Sequence, residues 1–234
     1  RDMIRQTVYA VSENTAKPIY TGSLYEIEDG VFKIIAIDGY RMAIRSENVD
    51  SESKNRFVVP GKTQHEVLKL LTDDEENTEI IIGQRHITFK IKNYRIISRL
   101  IEGTFIEYKS AIPKETKTEV VINTRTIIDA VERMSLLNND RIQSPVRCIF
   151  SDDEIKLSCT SAVGRANDVI SVPIIGESVE IGFNNRYLLD ALKNADTDEI
   201  KLILNGSLTA MIVKPVKGDS YLSIVVPMRL ANEN

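Results

Sequence analysis

A chain of 234 residues with 42% hydrophobic content is long enough for one large domain or two of ordinary size. The apolar runs, such as Ile-Ile-Ala-Ile at 34–37, fall far short of a membrane span, and residues 1–10 lack a signal-peptide apolar block, so a cytoplasmic protein is expected. A net charge of −4 argues against a surface that grips nucleic acid everywhere, and the acids gather where turns are expected: Glu26, Glu28 and Asp29, then 73–76, 152–154, and Asp196, Asp198 and Glu199.

In chain order, Ile4, Thr7, Val8 and Val11 recur at helical spacing and predict an opening helix over residues 1–12. Period-two alternation follows at Val31-Phe32-Lys33-Ile34, after the hairpin signal Glu28-Asp29-Gly30. A strand then enters a second helix across 58–71, with Val67, Leu68 and Leu71 on its apolar face. Ile82-Gly83-Gln84 turns the chain into a strand over 87–91. Tyr108-Lys109-Ser110-Ala111-Ile112-Pro113-Lys114 is a polar junction whose proline ends the preceding strand. A third helix spans 124–137 around Ile127, Ile128, Val131 and Met134, and a strand follows at 154–157 after the turn 151–154. Tyr187, Leu188, Ala191 and Leu192 mark a fourth helix, and Asn205-Gly206-Ser207 a last hairpin. If the stretches around Cys148 and Cys159 pair through the 151–154 turn, Cys148 lies nearer Leu157 than Cys159, so two buried thiols are expected rather than a bridge.

The series of helix, three or four strands, helix and three strands runs twice, offset by about 120 residues, and so describes an internal duplication. Two domains are expected, 1–112 and 113–234, each a two-layer α+β unit with two helices on one face and about seven antiparallel strands on the other. No catalytic constellation emerges. His65 and His86 are the only histidines, too few for a histidine–carboxylate metal cluster, and Gly61-Lys62-Thr63 has Arg56 where a phosphate-binding loop needs its first glycine. Asp38 could be imagined as a general base, but no partner acid or nucleophile is evident nearby in sequence. No catalytic residue, metal or cofactor is expected.

Several stretches taken together resemble the beta subunit of bacterial DNA polymerase III, the sliding clamp. They are Tyr20-Thr21-Gly22 with Leu24; residues 36–43, Ala-Ile-Asp-Gly-Tyr-Arg-Met-Ala; Val59-Pro60-Gly61-Lys62; Leu100-Ile101-Glu102-Gly103 with Phe105 and Tyr108; Ile181-Gly182-Phe183-Asn184 with Tyr187; and the ending Val225-Val226-Pro227-Met228-Arg229-Leu230. Each is weak alone. Their order and spacing across nearly the whole chain carry the match, and the Pro-Met-Arg-Leu ending is its strongest element. The resemblance implies two tandem clamp-type domains, the second and third of a subunit that has three. It also implies that full-length subunits close head to tail into a homodimeric ring around duplex DNA. The chain is therefore expected to be a monomeric fragment that cannot close the ring.

By the same resemblance, DNA polymerase, clamp loader and repair proteins insert short clamp-binding peptides into a groove between the two domains. Carried over position by position, the groove takes Tyr20, Ile37, Gly39, Tyr40, Arg41, Met42, Ile106, Asn184, Tyr187, Leu208, Ile224, Val225, Val226, Pro227, Met228 and Arg229. An apolar rim can anchor bulky side chains while Arg41, Asn184 and Arg229 orient a peptide backbone. The bland reading of Met42, Val226 and Met228 is core packing. Toward DNA, helical spacing puts Lys62, Glu66 and Lys69 on one face and Arg186, Asp190 and Lys193 on another, with Arg1, Arg5, Arg125 and Arg133 on the opening helices. The bland reading of these is an ordinary solvated face. Interleaved acids predict weak, non-specific attraction to duplex DNA. Ile37 and Tyr40 stand where the family commonly has a small polar residue and a histidine, Ser110 and Ala111 replace bulkier residues, and residues 231–234 extend past the usual final leucine. A β-rich enzyme or ligand carrier, and a peptide-binding scaffold that does not act on DNA, are the competing readings.

Overall fold

The computed structural model describes residues 1–72, 76–137 and 144–230. The acidic residues 73–75 and the extension 231–234 lie outside the described residues. The chain divides into two compact units, Arg1–Glu107 and Tyr108–Asn234. This division precedes the boundary expected after Ile112, because the 3-10 turn Tyr108–Ala111 is grouped with the second unit.

The first unit runs α1 (Asp2–Val8), a 3-10 turn (Pro18–Thr21), β1 (Gly22–Glu28), β2 (Val31–Ile37), β3 (Arg41–Asn48), β4 (Asn55–Pro60), α2 (Gly61–Leu70), β5 (Glu79–Ile82), β6 (His86–Ile91) and β7 (Tyr94–Arg99). Its strands form two antiparallel groups, ordered β3-β2-β1-β4 and β5-β6-β7. The opening helix is shorter than the periodicity of residues 1–12 predicts. The Thr7 hydroxyl donates to Met3 O at 2.7 Å, and Ala10 and Val11 donate three residues back, to Thr7 O and Val8 O, which tightens and ends the last turn. Ile4, Val8, Tyr25, Ile34, Val67 and Phe89 make the core between helices and strands. Burying each such large side chain stabilises by roughly 1.5–3 kcal/mol.

The second unit runs β8 (Thr118–Asn123), α3 (Thr124–Ser135), β9 (Val146–Ser151), β10 (Glu154–Ser161), β11 (Gly164–Ser171), β12 (Ile174–Gly176), β13 (Val179–Phe183), α4 (Asn185–Lys193), β14 (Glu199–Leu204), β15 (Met211–Pro215) and β16 (Tyr221–Val225). One antiparallel group is ordered β11-β10-β9-β13 and the other β12-β8-β14-β15-β16. The two units share the repeated plan, and the second adds β8 and β12 to the expected set of about seven strands. Ile127, Val131 and Met134 of α3 meet Leu188, Ala191 and Leu192 of α4 over a core that includes Phe150, Phe183 and Leu202. Cys148 stands opposite Leu157 in the β9–β10 register, and both cysteines are buried thiols outside any disulfide. Burial pushes the Cys148 thiol up to about 12.

Candidate functional site

In the first unit the sequence-assigned residues cluster at the β2–β3 hairpin. Ile37 and Met42 are the last paired positions, and Asp38-Gly39-Tyr40 makes the tip. Asp38 builds it: one carboxylate oxygen accepts from the backbone N–H of Tyr40 at 2.8 Å and of Arg41 at 3.0 Å. The other oxygen accepts from Arg41 Nε at 2.9 Å, and the Arg41 guanidinium lies 5.4 Å from the centre of the Tyr9 ring. Asp38 is therefore a turn organiser. Gly39 sits at φ +97°, a left-handed conformation that favours glycine, with open space where a Cβ would be. The result pushes the Tyr40 ring out, 61% exposed, while Arg41 and Met42 are buried. Tyr20, in the 3-10 turn, meets Phe105 edge-on with centroids 5.8 Å apart, and Ile106 beside Phe105 is exposed.

In the second unit the assigned residues gather around the start of α4 and the end of the chain. Asn184 caps α4, its Oδ1 accepting from the N–H of Arg186 at 3.0 Å and of Tyr187 at 3.3 Å. Two residues earlier, Gly182 O accepts from Met228 N–H at 2.8 Å, so the terminal segment closes against β13. Glycine makes the closure tight: a Cβ on Gly182 would lie 2.6 Å from Leu230 Cδ2, the movable end of that side chain, and 3.0 Å from Met228 O. Ile224 and Val225 are buried in β16, whereas Val226 and Arg229 are exposed and Pro227 and Met228 are half-buried. Leu208, between β14 and β15, is 83% exposed. Of the three residues whose bland reading is core packing, Met42 is buried, Met228 half-buried and Val226 exposed, and Tyr40, Ile106 and Leu208 also present apolar surface.

Sequence reasoning missed the Asp38–Arg41 pair and the Gly182–Leu230 fit. The first has a signal in the Asp-Gly-x-Arg spacing, which sets a turn and a side-chain partner three residues on. The second has none, because Leu230 is remote from Gly182 in sequence. A separate cleft of about 620 Å³ in the first unit, with Arg56, Val58, Ile101 and Phe105 on its walls and the Arg85–Glu102 ion pair at its rim, includes none of the assigned residues.

Among the residues assigned to DNA, Lys62, Arg1 and Arg186 are exposed, and five others are engaged by carboxylates. Arg5 pairs with Asp2 at 3.4 Å, Lys69 with Glu66 at 2.7 Å, Arg125 with Asp129 at 2.8 Å, Arg133 with Asp168 at 2.8 Å through Nε, and Lys193 with Glu132 at 2.7 Å. The Lys193 hydrogen bond and charge hold the Glu132 carboxyl below its usual value. Arg125 and Lys193 share a cleft of about 600 Å³ with Asp196 and Asp198, so charges of both signs meet there as well. The described residues contain no group of three or more His, Cys, Asp or Glu placed to hold a metal ion, and no helix among them is long and apolar enough to cross a membrane.

The family described as DNA polymerase III beta subunit, central domain, matches residues 1–107, and the C-terminal domain of the same subunit matches residues 109–229. The beta sliding clamp of Halalkalibacterium halodurans is 32% identical over 98% of this chain, and that of Bacillus subtilis 31% over 98%. The chain spans 62% of the length of these curated relatives. The solved DNA polymerase sliding clamp from Bacillus subtilis superposes with a TM-score of 0.95 at 31% identity, covering 98% of this chain and 62% of that one. The DNA polymerase III subunit beta from Pseudomonas aeruginosa gives 0.92 at 28% identity, covering 98% and 63%.

Proposed function

We propose that this chain, which belongs to the DNA polymerase III beta subunit family and matches its central and C-terminal domains, is the partner-docking portion of a DNA sliding clamp, a processivity factor. In this reading the longer protein closes as a head-to-tail homodimer around duplex DNA in the cytoplasm and catalyses nothing itself. Polymerase, clamp loader and repair proteins dock by short peptides on residues that both units contribute: the β2–β3 hairpin tip with Tyr20 and Ile106, and the α4 entry with the terminal segment. The observation that carries the reading is that Tyr40, Ile106, Leu208 and Val226, all within the assigned set, are exposed large apolar side chains, with the Tyr40 turn held by Asp38 and the segment after Val226 tied to Gly182. Exposed apolar groups on a rigid frame are what an anchoring peptide needs.

The ion-paired helices favour weak contact with DNA, since a cation already held by a carboxylate releases few counterions on meeting a phosphate. Retention on the duplex would then come from topology. The same pairing leaves room for a peptide-binding scaffold that does not act on DNA, and one experiment addresses both. Fluorescence polarisation with a labelled Gln-Leu-x-Leu-Phe peptide is expected to show binding that Tyr40→Ala and Met228→Ala each weaken about tenfold, or ~1.4 kcal/mol. Unchanged peptide affinity in both variants would refute the docking assignment. A labelled duplex is expected to bind weakly at low salt and to be released as salt rises. Peptide binding with no attraction to the duplex even at low salt would favour the scaffold.

A further inference from the structure

Asn205-Gly206 is the only Asn-Gly step in the chain. It lies in the connection between β14 and β15, where Gly206 has φ +91° and open space at the position a Cβ would take. An asparagine before glycine is prone to cyclise, because no side chain hinders the approach of the next amide nitrogen to the asparagine side-chain carbon. One contact holds the Asn205 side chain. Its Nδ2 donates to Glu115 Oε2 at 3.4 Å, while its Oδ1 is buried with no hydrogen-bond partner among the described residues. Asp38, which also precedes a glycine, differs: its carboxylate accepts from Tyr40 and Arg41 N–H and from Arg41 Nε, and is pinned. The segment before β8 is fastened to the Asn205 turn twice, by Glu115 on Asn205 and by Lys117 N–H donating to Leu204 O at 3.0 Å.

We propose that Asn205 is a modification site: it deamidates spontaneously, and the carboxylate that replaces its amide unfastens Glu115 from the β14–β15 turn. The Gly206 nitrogen attacks Asn205 Cγ and loses its proton, the bond from Cγ to Nδ2 breaks, and ammonia leaves a succinimide ring behind. Water then opens the ring at either carbonyl, giving aspartate or isoaspartate at 205. The consequence follows from charge. The donor that faces Glu115 is replaced by an acceptor of the same sign, and negative charge spreads onto an oxygen buried without a donor. Isoaspartate also lengthens the backbone of the turn by one carbon. Leu208 stands on this turn, so on the docking reading proposed above, which this last step rests on, the modified chain holds partner peptides more weakly.

The test ages the folded chain at mildly alkaline pH, where loss of the amide proton is easier, and then digests it with trypsin for mass spectrometry. The fragment 202–217 contains Asn205 as its single asparagine. It is expected to gain one mass unit, NH2 replaced by OH, before any other asparagine-containing fragment does, and to split into aspartate and isoaspartate forms on chromatography. Asn205→Gln keeps an amide but closes a ring less readily, and its fragment is expected to stay unchanged. Asn205→Asp, made directly, is expected to unfold about 2–4 °C below the parent. Another asparagine converting first, or an Asn205→Asp chain with the parent's unfolding temperature, would overturn the proposal. A lowered unfolding temperature with docking-peptide affinity unchanged would support the modification site and count instead against the place of Leu208 in the docking surface.

Discussion

The two units close in the same way with different residues. In each, the chain leaving the meander returns to the strand before the second helix: Ile101 N–H donates to Val58 O at 3.0 Å, and Met228 N–H to Gly182 O at 2.8 Å. Val58 and Gly182 hold matching places, each three residues ahead of its helix (58 and 61, 182 and 185). Val58 fills its own space as a core side chain, whereas Gly182 leaves its space to Leu230. The helix starts differ as well. Asn123 and Asn184 cap α3 and α4 with side-chain hydrogen bonds, whereas Pro60, ahead of α2, makes none. Duplication has thus kept the backbone hydrogen bond that closes each unit while the side chains around it diverged.

The largest expected effect breaks the second unit's closure. Gly182→Val would drive a side chain into Leu230 and Met228 O, costing about 1–3 kcal/mol and weakening docking-peptide binding as Met228 and Arg229 move. Gly39→Ala meets no neighbouring atom and is expected to cost only the ~1–2 kcal/mol of its left-handed backbone, with the fold at Gly182 untouched. Urea unfolding and polarisation read both, and a Gly182→Val chain as stable as the parent would show that the close fit is dispensable. Asn184→Ala is expected to cost about 1 kcal/mol, because Tyr187 N–H at the start of α4 loses its acceptor, whereas Arg186 N–H keeps Asn185 Oδ1 at 2.9 Å. His65→Ala on the side-chain-uncapped α2 serves as a near-neutral reference, and equal losses in the two would contradict the capping account.

The smallest effect concerns the exposed Lys193–Glu132 pair. Lys193 lowers the Glu132 carboxyl, so the pair contributes stability above the unfolded value of 4.5 and loses it as pH falls through the depressed folded value. Glu132→Gln is therefore expected to lower the unfolding temperature slightly near neutrality, and the gap should shrink in acid. A gap that widens below about pH 4 would contradict this sign.

Much of the plan was legible in the sequence. The Asp29-Gly30 and Asn205-Gly206 turns, the four apolar helical faces and the Cys148–Leu157 register depend on neighbours in the chain or on strict alternation, so periodicity reads them directly. The length of α1 was not legible, because the Thr7 hydroxyl bond that ends it competes locally with a pattern that would continue to Val11. β12 was missed for another reason: three residues ending in a glycine have no strand signal, and they become a strand only because β8 lies alongside. Of the assigned docking residues, the alternating pattern around Met42 and Ile224 could equally describe core or rim, and both side chains are buried.

The sequence by itself determined the duplication, the α+β class and the family resemblance, since each is written in order and spacing along one dimension. Only the tertiary structure decided which apolar residues stay exposed, that Asp38 holds Arg41, and that Gly182 makes room for Leu230. Those outcomes depend on atoms meeting across loops and across tens of residues, where close packing lets one missing Cβ admit a distant side chain.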